Sequence, residues 1–287
     1  MDVAVVGAGR VGTALAVLWW RAGHRIAAVS GGSATPARAA EHLPGVPVVG
    51  NAEAARGADV VVIATPDAAI AAACDDVVRA RAIGPGVAVA HVSGALALAA
   101  LASAESAGAT TFSLHPLQTC PTVEAAVEQL PGAAFAVTSE SDEGRALGER
   151  LARDAGGRPF ALEDAAKPLY HAAAVFASNY LVAITALAVE LEGAAGVPDP
   201  AAALAPLQEA TLANVARVGP AEALTGPAVR GDAGTVARNL EALARSAPQA
   251  VRPYVALADL ALDLAERAGR LPGDRRKAVE EVLARWR

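Results

Sequence analysis

The sequence predicts an α/β protein, a doubly wound and mostly parallel sheet followed by an all-α domain. Three observations predict it. Short apolar runs alternate with helical patterns as far as Leu162, a glycine-rich turn directly follows the first of these runs, and from Glu163 onward only helical patterns remain. The chain has 287 residues, and domains commonly hold about 150. The change of pattern divides it into 1–162 and 163–287.

The first strand is Asp2–Val6, rich in β-branched residues and ended by glycine. A helical pattern runs from Arg10 to Ala22, and Arg25–Val29 is the second strand. Val46–Val49 is a weak third. Asp59–Thr65 is a continuous apolar run of the kind buried on both faces of a parallel sheet. Ala68–Arg81 is helical, Val87–Val92 a strand, and Ala95–Ala107 helical. Thr110–Leu114, Ala133–Thr138 and Pro159–Leu162 complete the sheet. Repeated strand–helix units imply right-handed crossovers and a doubly wound topology. The second half predicts helices over Ala165–Gly193, Pro200–Val218, Gly234–Arg245, Pro248–Ala268 and Pro272–Arg287, separated by glycine and proline breakers such as Gly219-Pro220 and Gly226-Pro227.

Composition narrows the function. Hydrophobic residues make up 54% and aromatics only 3%, so the core is built from Ala, Val and Leu. The net charge of −6 lacks the basic footprint that nucleic-acid binding needs. Cys74 and Cys120 form no metal-ligand spacing, so neither a disulfide framework nor a metal site is expected, and a reducing, cytoplasmic setting is the simple reading. Asp2–Val6 is already a strand, leaving no room for a signal peptide. Ala172–Val189 is uncharged over eighteen residues, but it carries Ser178, Asn179, Tyr180 and Thr185 and has no basic flank. A helix buried between domains or subunits fits it better than a membrane span.

Gly7-Ala8-Gly9-Arg10-Val11-Gly12 follows a strand and opens a helix, which is the context a Rossmann-type dinucleotide site requires. Gly7 permits the tight turn, Gly9 lets the backbone approach a pyrophosphate, and Gly12 lets helix and strand pack closely. The helix N-terminus faces the phosphates. At the end of the second strand an NAD site usually carries Asp or Glu; here Ser30 stands there, and no carboxylate appears before Glu41. Ser30, Ser33 and Arg38, with Arg10, suit the 2′-phosphate of NADP, although the serines can equally end a strand. Ala64-Thr65-Pro66 lies at a strand's carboxyl end and is expected beside the ribose and nicotinamide, with Asp67 as a possible cap of the next helix. Ser93 occupies the equivalent place one strand further on.

Ser113-Leu-His-Pro-Leu-Gln-Thr119 puts His115 on the same expected ligand side, where it can donate to a carbonyl or carboxylate or simply hold its loop. On the long predicted helix, Lys167, His171, Ala174 and Ser178 share one face, with Asn179 on its flank. Lys167 or His171 can supply the proton in hydride chemistry, unless they are satisfied interdomain residues. Leu224-Thr-Gly-Pro-Ala-Val-Arg-Gly-Asp232 is a polar loop before a helix. Thr225 and Arg230 of this loop, Thr235 just after it and Ser178 of the long helix are the substrate-side candidates, with Arg230 a possible anion clamp and Asp232 a possible cap.

These motifs together, with Tyr170-His-Ala-Ala-Ala174 and Ala177-Ser-Asn179, resemble the Rossmann-like NADP oxidoreductases that carry a helical C-terminal domain of unknown function. The wider group is 6-phosphogluconate-dehydrogenase-like and includes pyrroline-5-carboxylate reductase, prephenate dehydrogenase and the β-hydroxyacid dehydrogenases. The resemblance implies an NADP-binding domain, a helical dimerisation domain and an active site between them. Lys167 and Asn179 resemble the lysine and asparagine of the β-hydroxyacid dehydrogenases, but His171 lies one turn after Lys167 and alters the spacing. Gly234-Thr235 is similar to the reductase's Gly-Thr-Thr, with one threonine missing. The expectation is an NADP-dependent homodimer acting on a small carbonyl, hydroxy acid or imine. A cofactor-binding sensor without turnover, or a non-redox enzyme on the same fold, is the alternative.

Overall fold

A computed structural model describes all 287 residues. Contacts divide the chain into two compact units, Met1–Asn179 and Tyr180–Arg287.

In the first unit β1 (Asp2–Val6) leads through Gly7–Gly9 into α1 (Arg10–Arg21). Next come β2 (Arg25–Ser30), the short helices α2 (Thr35–His42) and α3 (Asn51–Ala55), β3 (Val60–Ile63) and α4 (Asp67–Arg79). β4 (Ala88–His91), α5 (Ala102–Ser106), β5 (Thr110–Pro116), α6 (Val123–Gln129), β6 (Ala134–Thr138), α7 (Asp142–Asp154), β7 (Arg158–Ala161) and α8 (Lys167–Ala177) follow. The sheet order is β2-β1-β3-β4-β5-β6-β7, and every pair is parallel except β5–β6. The order reverses between β1 and β3, so the glycine turn after β1 sits at the topological switch point where such sheets bind ligands.

The apolar runs work as a doubly covered sheet requires. Val3 and Val5 face α1, where Leu15 and Trp19 join one core, while Ala4 and Val6 face Ile70, Cys74 and Val77 of α4 in another. Val60 and Val62 alternate with Val61 and Ile63 in the same way. Buried Trp19 donates its indole N–H to the Leu151 carbonyl, tying α1 to α7.

Val46–Val49 does not form the expected strand. It is reduced to one parallel bridge, Val29 to Val48. Pro47 has no N–H to give, although its carbonyl accepts from Val29, and Pro44, Gly45 and Gly50 bracket the segment. Ala95–Ala107 is a 3₁₀ turn (Leu98–Leu101) leading into α5 rather than one helix. α2, α3, α6 and α7 lie outside the helical patterns that the sequence predicts, although Thr122 and Ser141 cap α6 and α7 through the amides of Ala125 and Gly144. β5 runs through Pro116, so His115 lies inside a strand rather than in the loop after it.

The second unit is all helix: α9 (Asn179–Ala194, its first residue closing the first unit), α10 (Pro200–Ala223), α11 (Pro227–Arg230), α12 (Ala233–Ser246), α13 (Val251–Arg267) and α14 (Gly273–Leu283). α10 breaks internally at Gly219, φ +80°. Val236, Leu240, Leu262, Val279 and Leu283 form this unit's core. The helix predicted over Ala165–Gly193 is two, because Ser178 leaves the helical region at φ −123°, ψ −70°. The stretch Asp164–Ala194 has the length and mean hydropathy, 1.9, of a membrane-spanning helix, but this break divides it.

Secondary structure changes character at Leu162, yet α8 belongs to the first unit by contacts. Two anchors explain this. Asp164 accepts from the Leu98 amide, and Lys167 is bonded to Ser93 in the turn after β4 and to Ser113 within β5.

Candidate cofactor and active site

Two adjoining groups of residues occupy the carboxyl ends of β1, β3, β4 and β5. The first is a cleft of about 530 Å³ over the glycine turn, lined by Gly7, Gly9, Ser33, Arg38, Asn51 and Thr65 among others. Gly7 adopts φ +87°, and a Cβ there would come within 2.6 Å of the Thr65 backbone nitrogen. At Gly12 a Cβ would meet that of Ala64 at 2.9 Å. Gly9 differs: a Cβ there would find nothing nearer than the Gly7 carbonyl at 3.9 Å. Gly9's freedom is therefore not demanded by the fold, and it leaves the space over the α1 N-terminus clear. No side chain caps that N-terminus.

Arg38 reaches across the cleft and donates to the Ala8 carbonyl at 2.9 Å, and exposed Ser33 stands beside it. Ser30 is buried and its hydroxyl donates to Asn51, so its part is to hold the cleft wall. Arg10 points elsewhere, to the Pro121 carbonyl, pinning the loop after β5. Val11 is half-buried on α1. Thr65 carries a buried hydroxyl with no hydrogen-bond partner. An orphaned polar atom on the wall of a cleft with an uncapped helix N-terminus and an acid-free β2 end fits a dinucleotide carrying a 2′-phosphate.

The second group begins with Lys167. It is 1% exposed and donates to the Ser113 hydroxyl at 2.6 Å and the Ser93 carbonyl at 3.2 Å. Burial pulls its ammonium down to about 8, opposed by Asp164 and Asp67. The Ser93 hydroxyl donates to Asp67 and accepts from the amides of Ala95 and Leu96, so Ser93 braces the turn after β4 instead of facing the cleft. Asp67 does not cap α4; Pro66 holds the cap position with no side-chain bond. His91 lies buried under this turn, its Nδ1 accepting from the Ser93 amide and its Nε2 without a partner. Burial, reinforced by the Lys167 charge, pushes His91 down to about 3.

His115 leans on Gly94, where any Cβ would come within 2.7 Å of its Cε1 and Nε2. Its Nδ1 lies 2.8 Å from the Tyr170 hydroxyl. Burial first, then Lys167 and His171, push His115 down to about 4, so it is neutral at pH 7. The His171 ring stands 6.5 Å from that of His115, with its buried Nδ1 unpartnered. Lys167, His115 and His171 are thus brought together, joined by Ser113 and Tyr170. Neither of these last two follows from spacing alone, although both lie in the polar motifs around His115 and His171.

Asn179 is not brought in with them through α8: the break at Ser178 puts it on the first turn of α9, exposed. Thr225, Arg230 and Thr235 belong to the second unit. Asp232 caps α12, accepting from the Thr235 amide and hydroxyl, so the N-terminus considered for an anion already carries a carboxylate. Thr225 and Arg230 are exposed.

Residues 1–116 match the Rossmann-like domain family, and residues 133–261 match a domain of unknown function, DUF2520. The second match starts at β6, inside the sheet. No curated protein matches the chain significantly. Among solved structures, a Bacteroides fragilis protein provisionally classed as an NADP oxidoreductase is similar over 91% of this chain and 98% of its own, at 25% identity and a TM-score of 0.75. An imine reductase from Myxococcus stipitatus in complex with NADP+ shares the fold over 100% of this chain and 99% of its own (16% identity, TM-score 0.62). So does a Plasmodium falciparum pyrroline carboxylate reductase with NADP bound, over 97% and 98% (12% identity, TM-score 0.60). Fold and motif order agree with the two family matches, Rossmann-like over residues 1–116 and DUF2520 over residues 133–261.

Proposed function

We propose that this chain is an NADP-dependent oxidoreductase acting on a small carbonyl, hydroxy acid or imine. The observation that carries the reading is the junction of the cleft with the histidine–lysine cluster. Thr65 and Pro66 line the cleft, and the next residue, Asp67, bonds to Ser93, whose carbonyl holds Lys167. The 25% identical Bacteroides fragilis relative supports the same class.

The glycine turn, Ala8 and the α1 N-terminus would hold the pyrophosphate, Arg38 and Ser33 the 2′-phosphate, and Ala64, Thr65 and Pro66 the nicotinamide side. The chemistry that NADPH would supply there is a hydride for the electrophilic carbon of the substrate. His171 delivers a proton to the substrate oxygen or nitrogen, so that a carbonyl leaves as an alcohol and an imine as an amine. Lys167, held by Ser113, keeps the field positive where that oxygen gains charge. The same reading makes the chain a cytoplasmic homodimer. α9 is sixteen residues long with none buried, and Val182 and Ile184 are exposed on it. An isologous interface would cover this apolar surface.

The burial of Lys167 favours a second reading, a cofactor-binding sensor without turnover, because its ammonium is already satisfied inside the protein. The deciding experiment is a screen of ketones, hydroxy acids and cyclic imines that follows absorbance of the reduced cofactor. With a substrate in hand, His171→Ala should lower turnover by about 10²–10⁴ and leave NADPH affinity nearly unchanged. Full turnover in that variant removes His171 from the role. Tight NADPH binding with no turnover of any class supports the sensor.

A further inference from the structure

We propose that Tyr170 is a positioning residue that locks His115 in the Nε2–H tautomer and so aims a neutral N–H donor at the acceptor oxygen or nitrogen of the substrate. The proposal rests on the oxidoreductase reading and adds to it a group, Tyr170, whose part is to set the proton on another ring.

The geometry begins with Gly94. Its backbone is not in the left-handed region, so no turn requires glycine there. What requires it is the His115 ring, whose Cε1, Nε2 and Cδ2 would all lie within 2.9 Å of any Cβ at that position. One face of the imidazole is therefore seated against backbone, and its plane is fixed. Tyr170 meets the ring edge-on, centroids 5.5 Å apart and planes 88° apart, with its hydroxyl 2.8 Å from Nδ1. Phe160 packs on Tyr170 in turn, at 6.0 Å and 63°. Two aromatic contacts and one backbone contact hold the pair in a single arrangement.

The direction of the hydrogen bond follows from chemistry. A phenol donates more readily than it accepts, and burial keeps Tyr170 protonated, up to about 12. No other group in the protein takes the Tyr170 proton. Were Nδ1 the donor, the hydroxyl proton would have no acceptor within the protein and would depend on water reaching a half-buried place. So Tyr170 donates, Nδ1 is the bare nitrogen, and the one ring proton sits on Nε2. The His115 Nε2 makes no hydrogen bond within the chain and is not sealed from solvent, and the imidazole is neutral at pH 7 because burial and the Lys167 charge both oppose protonation. A neutral imidazole N–H in a site with a fixed positive charge behind it polarises a carbonyl without giving up its proton. That leaves proton delivery to His171, and it selects substrates that present a carbonyl, carboxylate or imine acceptor to Nε2.

The test reads the tautomer directly. In protein carrying ¹⁵N-histidine, long-range ¹H–¹⁵N correlation separates a bare ring nitrogen from a protonated one, and His115→Gln identifies the His115 signals among the chain's five histidines. Wild-type protein at neutral pH should show His115 bare at Nδ1 and protonated at Nε2. Tyr170→Phe should convert this to a mixture of tautomers and lower kcat about tenfold, with NADPH affinity unchanged. A wild-type Nδ1–H tautomer overturns the proposal, and that measurement needs no variant to fold. An unmoved tautomer or an unmoved kcat in Tyr170→Phe overturns it as well. If wild type turns over no substrate while the tautomer is as stated, the oxidoreductase reading fails, and with it the aim of the donor at a substrate.

Discussion

Nζ of Lys167 lies 2.6 Å from the hydroxyl oxygen of Ser113, where the start of α8 meets the middle of β5. This bond joins the last element of the first unit to the sheet and sets a cation close to His91 and His115. Lysine has an ordinary value of 10.5, and burial holds this one at about 8. Between those limits the unfolded chain binds more protons than the folded one, so stability rises with pH through that window. Urea midpoints of wild type, referenced to Lys167→Met, should climb between pH values of about 7.5 and 9.5. A flat or falling difference would mean that the lysine is not desolvated.

Gly7 and Gly9 should respond differently to alanine. Gly7→Ala forces a side chain into φ +87° and against the Thr65 backbone, so a stability loss of at least about 2 kcal/mol is expected. Gly9→Ala adds a methyl with no protein neighbour inside 3.9 Å, so stability should stay within about 0.5 kcal/mol of wild type. NADPH affinity should nevertheless drop at least about tenfold, because the methyl occupies the approach to the pyrophosphate. Thermal melts and cofactor titrations on both variants check the contrast. Undiminished binding in Gly9→Ala would place the phosphates elsewhere.

Arg38 is the cation within the cleft wall, and β2 ends without a carboxylate. A charge-assisted bond contributes about 1.5–3 kcal/mol, so NADPH should bind roughly ten to a hundred times tighter than NADH. Arg38→Ala should remove that preference and leave NADH affinity nearly unchanged. Trp19 and Trp20 sit on α1, the helix that the glycine turn opens, so tryptophan fluorescence offers a direct titration. Equal affinities in wild type would reject the 2′-phosphate site.

Val182 is 69% exposed on a helix with no buried residue. On the homodimer reading, Val182→Glu buries a charge at the interface and should yield monomer at micromolar concentration, where wild type is a dimer by light scattering. A monomeric wild type would reject the dimer.

The Rossmann-like half is legible from local sequence alone. Asp2–Val6, the Gly7–Gly12 turn and the run before Thr65 are local signals, since strand burial, turn geometry and helix start each depend on neighbours in sequence. The all-helical second half was legible for the same reason, from periodicity and breakers. Tertiary structure decided the rest. Val46–Val49 lost its strand at a sheet edge where Pro47 can give no hydrogen. Ser178 broke a helix that its apolar flanks alone predict to be continuous. The Lys167–Ser113 bond spans fifty-four positions, Tyr170–His115 fifty-five and Ser93–Lys167 seventy-four. Spacing along a helix can show that Lys167 and His171 share a face. Only the packing of α8 against β5 and the turn after β4 shows that Lys167 is sealed from water, that His115 is kept neutral beside it, and that the Tyr170 hydroxyl lies against the ring's Nδ1.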